Sequence, residues 1–90
     1  MYQIGYTTRF KKDFKRCKKR GLDISLLEKA IEILQQNGRL PSVYKPHKLT
    51  GRYSDCWECH LQPDWLLVWK QNDAELIILL TNTGTHSDLF

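Results

Sequence analysis

Residues 56–70 read Cys56-Trp57-Glu58-Cys59-His60-Leu61-Gln62-Pro63-Asp64-Trp65-Leu66-Leu67-Val68-Trp69-Lys70. Two runs rich in aromatic and branched apolar residues flank Pro63-Asp64, and a third run follows Gln71-Asn72-Asp73. Their composition and spacing predict strands over about 54–61, 65–70 and 75–81. Connections this short make neighbouring strands antiparallel. Side chains alternate along a strand, so Trp57, Cys59 and Leu61 share the face expected to meet the core. Cys56, Glu58 and His60 share the other, expected to be open.

Upstream, the period changes. Residues 2–6 are expected to form a first strand. From Thr7 or Thr8, Phe10, Phe14 and Cys17 recur as one helical stripe, and Gly21 supplies a stop. Ser25-Leu26-Leu27-Glu28 matches a capping box opening a second helix, with Leu27, Ala30, Ile31 and Leu34 as its apolar stripe. Asn37-Gly38 and Pro41 end that helix. The short link makes the two helices an antiparallel hairpin. Residues 39–52 lack a clean period and read as a loop with a short strand near Tyr44. Residues 83–90 look too polar and too Gly-broken for a long element. The expected fold is α+β, with an N-terminal strand and a helical hairpin packed on a small antiparallel sheet, as one domain over residues 1–90.

Composition sets the class. The chain has 90 residues, 41% of them hydrophobic, and a formal net charge of +4. No stretch approaches the roughly 18 consecutive apolar residues of a membrane span. The first residues lack the pattern of a secretion signal, so the cytoplasm is the expected compartment. Eight of the 14 basic residues fall between Arg9 and Arg20, with only Asp13 opposing them. Such a block suits a polyanion, and an acidic protein surface is the other candidate partner.

Three histidines, His47, His60 and His86, all lie in the second half, each in or beside a loop or strand end. Imidazole titrates near neutrality and suits proton transfer. The polar strand face ending in His60, followed by the Asp64-Trp65 turn, is one candidate site. The C-terminal stretch is the other, because Gly84 lets the backbone turn and brings Thr85, His86 and the aromatic Phe90 back toward the sheet. Cys56-Trp57-Glu58-Cys59-His60 matches the letters of the C-x-x-C-H haem-attachment pattern. Strand alternation, however, points the two sulfurs to opposite faces, and no second Cys or His pair stands at metal spacing. No haem, metal or other cofactor is therefore expected.

Three segments carry a family resemblance. Val43-Tyr44-Lys45-Pro46-His47-Lys48-Leu49-Thr50-Gly51, His60-Leu61-Gln62-Pro63-Asp64-Trp65-Leu66-Leu67 and Thr83-Gly84-Thr85-His86-Ser87-Asp88-Leu89-Phe90 resemble, in order and spacing, three elements of YafQ-type toxins in the RelE/ParE superfamily. The resemblance implies a RelE-like fold. It also implies the toxin of a type II toxin–antitoxin pair, a ribosome-dependent, metal-independent endoribonuclease that cuts mRNA in the decoding site. The implied partners are a RelB/DinJ-like antitoxin, the ribosome and mRNA.

By the same resemblance, the catalytic residues are His47, His60, Asp64 and His86. His86 would be the general acid and His47 or His60 the base, with the exchanged assignment as the alternative, and Asp64 would orient an imidazole or hold it charged. Trp65 and Phe90 would position bases or support the site. Lys11, Lys12, Lys15 and Lys18 are the expected contacts to ribosomal RNA. One position departs from the family: Asn82 stands where these toxins carry a phosphate-steadying arginine, and Arg52, Lys45 or Lys48 are the cations expected to substitute. The alternative is a binding module that blocks RNA, the ribosome or a protein without cutting, including a ParE-like gyrase inhibitor.

Overall fold

The computed structural model describes residues 1–90. Strand β1 (Gln3–Tyr6) leads into helix α1 (Thr8–Lys19) and helix α2 (Ile24–Asn37). Strands β2 (His47–Lys48), β3 (Cys56–Gln62), β4 (Trp65–Asn72) and β5 (Ile77–Gly84) follow, and a four-residue helix α3 (His86–Leu89) ends the chain. The sheet order is β1-β5-β4-β3-β2. The meander β2 to β5 is antiparallel, and β1 joins its far edge parallel to β5. Both helices bury their stripes on one face. Phe10 and Cys17 of α1 and Leu27, Ala30 and Leu34 of α2 form a common core with Cys59, Trp65, Leu67, Trp69, Ile78 and Leu80. No helix is long and apolar enough to cross a membrane.

Local chemistry sets the element ends. Thr7 accepts from the Phe10 amide and caps α1. Gly38 closes α2 at φ 69°, and a Cβ there would stand 2.4 Å from the Tyr2 ring, so conformation and space both call for glycine.

Four expectations are corrected. The cap of α2 is Asp23, not Ser25: Asp23 Oδ1 accepts both the Ser25 amide (3.0 Å) and the Ser25 hydroxyl (2.5 Å), which leaves Ser25 inside the helix. Tyr44 lies in a 3₁₀ turn, Ser42–Tyr44, and the short strand forms at His47–Lys48. The third long strand runs on to Gly84, and residues 86–89 coil into α3. The face of β3 opposite the helices is not open throughout. Trp57 packs against the core as expected and stacks on Trp69, yet Cys56 and Glu58 are each only 5% exposed.

Candidate active site

Strand register builds the site. Residues paired across neighbouring strands put their side chains on the same face. The pairs His47↔Glu58, Glu58↔Val68 and Val68↔Asn82 therefore form one row across four strands, on the face away from the helices. His60↔Leu66 and Leu66↔Gly84 form the next row. Leu66 and Val68 are buried between the polar groups and give the site an apolar floor.

Asn82 reaches this row through a bulge. Val68 pairs with Asn82, but Trp69 pairs with Leu80, so Thr81 is the extra residue on β5. A bulge resets side-chain alternation. Without it Asn82 would share the helix-side face of Leu80. The Thr81 hydroxyl donates to the Val68 carbonyl (3.1 Å) at the irregularity.

Glu58 gathers two imidazoles. Its Oε1 lies 3.4 Å from His47 Nε2 and 3.8 Å from His60 Nε2. The His47 Nδ1 is 3.1 Å from the Lys45 carbonyl, to which its N–H donates, and this turns Nε2 toward Glu58. Sequence reading placed Glu58 on the right face but did not single it out. Its place between the two histidines depends on the β2–β3 register, which no local pattern encodes.

His86 comes from the other end of the chain. Gly84 ends β5, Thr85 caps α3, and His86 is the first residue of that helix. Its backbone N–H donates to Asp64 Oδ1 (3.0 Å), and its Nδ1–H donates to the same oxygen (2.7 Å). These bonds hold the Asp64 carboxyl below the usual range, the backbone bond first. The His86 ring centroid lies 5.8 Å from that of His60. His47, Glu58, His60, His86 and Asp64 thus form a continuous line, from three separate segments. No group of three or more His, Cys, Asp or Glu side chains is arranged to hold a metal ion.

The other expected residues divide. Phe90 is exposed and meets Tyr53 edge-on at 5.3 Å, so Tyr53 is a second aromatic at the same end. Arg52 is exposed beside Tyr53. Lys45 shares a surface depression with His60. Lys48 is the wrong way round for phosphate: it pairs with Trp57 on the helix-side face, and its Nζ lies 6.0 Å over that ring. Trp65 is corrected as a base-contacting residue. Alternation puts it on the helix side with Leu67 and Trp69, it is 2% exposed, and its indole N–H donates to the Thr83 hydroxyl (2.9 Å). It supports the strand that leads to His86 from behind.

Helix α1 segregates its charges. Lys11, Lys12, Lys15 and Lys18 are exposed. The arginines are instead committed to ion pairs: Arg9 and Arg16 each contact the buried Asp13 at 2.9 Å, and Arg20 contacts Asp88 at 2.6 Å. The family model for the YafQ bacterial toxin of type II toxin–antitoxin systems matches residues 2–90. The chain belongs to the YafQ toxin family. It is 36% identical over 88 residues to the mRNA interferase toxin YafQ of Escherichia coli K12, an alignment covering 97% of this chain and 94% of that one. The fold superposes with a TM-score of 0.92 on the crystal structure of YafQ from E. coli BL21(DE3), at 34% identity over 100% and 99% of the two chains. YafQ in a crystal structure of the E. coli DinJ–YafQ complex matches with a TM-score of 0.90, at 35% identity and the same coverage.

Proposed function

We propose that this chain is the toxin of a type II toxin–antitoxin pair, acting in the cytoplasm as a ribosome-dependent endoribonuclease held in check by a DinJ-like antitoxin. The observation that carries the reading is the convergence of His47, His60 and His86 with Asp64 and Glu58 on one face of the sheet. Cleavage of RNA without a metal needs a base for the 2′-hydroxyl proton, an acid for the departing 5′-oxygen, and donors at the phosphate. Attack of the 2′-oxygen on phosphorus breaks the bond to the 5′-oxygen and leaves a 2′,3′-cyclic phosphate and a 5′-hydroxyl.

His86 is the acid. Its Nδ1 is committed to Asp64, which leaves Nε2 as the nitrogen that delivers a proton. His47 or His60 is the base, two imidazoles served by one carboxylate. In this reading the Asn82 amide and Lys45, which lines the same depression as His60, steady the phosphate, with Arg52 as a further cation. Phe90 and Tyr53 offer π-faces to a base. The exposed lysines of α1 contact ribosomal RNA phosphates. Expressing the chain in growing cells and mapping mRNA 5′ ends tests this reading. Discrete cuts within translated codons, bearing 5′-hydroxyls, are expected. Translation arrest with intact messages would replace it with the non-cutting module.

A further inference from the structure

His86 stands on an element that burial does not hold. Helix α3 has four residues, none of them buried. The His86–Asp64 contact is itself exposed on both sides, at 55% and 66% of side-chain area. Solvent screens an exposed pair of this kind, so it contributes little to holding the helix in place. Something else fixes α3.

That anchor is Asp88, two residues after His86 and only 14% exposed. Its Oδ2 accepts from the Thr85 amide (2.9 Å) while the Asp88 amide donates to the Thr85 hydroxyl (3.1 Å), a closed capping box. Arg20 grips the same carboxylate with both terminal nitrogens, at 2.6 and 3.1 Å. Arg16 spans from Asp88 (3.8 Å) to Asp13 (2.9 Å) and donates to the Thr83 carbonyl (3.4 Å). Asp13 is fully buried and accepts the Thr83 amide (3.2 Å). Arg9 donates to the Asp88 carbonyl (3.3 Å). A Cβ on Gly84 would stand 2.7 Å from Asp88 Oδ2, so glycine clears the space in which the carboxylate docks.

We infer that Asp88 is a positioning residue for the reaction: through Arg20 and Arg16 it ties α3 to α1 and so sets His86 against Asp64 and His60. The arginines of α1 then serve the site through their ion pairs, and its lysines serve binding. The inference rests on the ribonuclease reading for its rate consequence, but the placement of His86 can be read without it.

Three variants test it: Asp88→Ala loses cap and charge, Asp88→Asn keeps a capping oxygen, and Arg20→Gln removes the grip from the α1 side. A misplacement of about 1 Å at a reacting group costs about 10²-fold. Asp88→Ala and Arg20→Gln should therefore lower single-turnover cleavage at saturating ribosomes by roughly 10–100-fold with ribosome affinity unchanged, and Asp88→Asn should lose less than Asp88→Ala. In parallel, imidazole NMR of the free proteins should show the His86 Nδ1–H bond to Asp64 weakened in Asp88→Ala and Arg20→Gln. Unaltered His86 resonances in those two variants would overturn the positioning role, whether or not the wild-type chain cuts RNA. Affinity falling in step with cleavage would also overturn it and make this end of α1 a docking element. If wild-type protein cuts nothing while the His86 signals respond as expected, the ribonuclease reading fails and the positioning stands.

Discussion

The two faces of the sheet are built on opposite principles. The helix side is apolar apart from the Asp13–Arg16–Thr83 network: Cys59, Trp65, Leu67, Trp69, Ile78 and Leu80 meet α1 and α2, and the indole N–H of Trp65 is satisfied within the core. The other side sets titratable groups over a floor of Leu66 and Val68 and leaves His47 and His86 half in solvent. A strand such as β4 serves both, with Leu67 toward the helices and Leu66 beneath the histidines. The core and the histidine row are thereby separated by a single step along the chain, and substitutions on the two faces should separate in the same way.

The largest expected effect lies on the helix side. Leu67 is fully buried. Leu67→Ala should cost about 2–5 kcal/mol of unfolding free energy, measured by denaturant titration. A loss under about 1 kcal/mol would mean that this face is not the core.

On the outer surface, replacing Lys11, Lys12, Lys15 and Lys18 together with Gln should leave the unfolding midpoint within about 0.5 kcal/mol. It should flatten the dependence of log ribosome affinity on log salt by roughly three units, since fewer counterions are released. An unchanged slope would reassign the lysines to an acidic protein partner. Asn82→Arg probes the opposite face of the sheet, in the row of His47 and Glu58: a guanidinium there should raise the cleavage rate, and a fall would mean that the amide is needed as it stands.

Smaller effects should follow acid. Asp64 and Asp88 are both held below the ordinary carboxylate range, Asp64 by the His86 N–H groups and Asp88 chiefly by Arg20. A carboxylate depressed in the fold stabilises it above its unfolded pKa, about 3.9, and that contribution fades as pH falls toward the folded value. The α3 anchor should therefore be intact from neutrality down to about pH 4 and weaken only below, as followed by the Phe90 resonances. Release of α3 between pH 7 and 5 would contradict the ion-pair network.

The helix side was also the legible side. Phe10/Phe14/Cys17 and Leu27/Ala30/Leu34 announce themselves by period, and the three long strands by composition and turn residues. The three histidines could be picked out by type, and their family-like spacing by resemblance. What stayed hidden is non-local. Glu58 acquires its place from pairing with β2, Asn82 from the bulge at Thr81, and Asp88 from arginines 68 and 72 positions earlier in the chain. Of the two roles open to Trp65, burial leaves support of the site: the Pro63-Asp64 turn and the register irregularity between His60 and Gln62 set its side, toward the helices. The capping-box pattern points to Ser25, yet Asp23, two residues earlier and as good a cap by type, takes the role.

The central claim is that the histidine face performs the chemistry and that His86 delivers the proton. Single-turnover cleavage of ribosome-bound message by His86→Gln tests it most directly. Glutamine keeps a polar side chain of similar reach but cannot act as a proton donor of suitable pKa. Loss of about 10²–10⁴-fold in rate is expected, with ribosome affinity and unfolding midpoint retained. Full retention of cleavage would contradict the account and pass the acid role to His47 or His60.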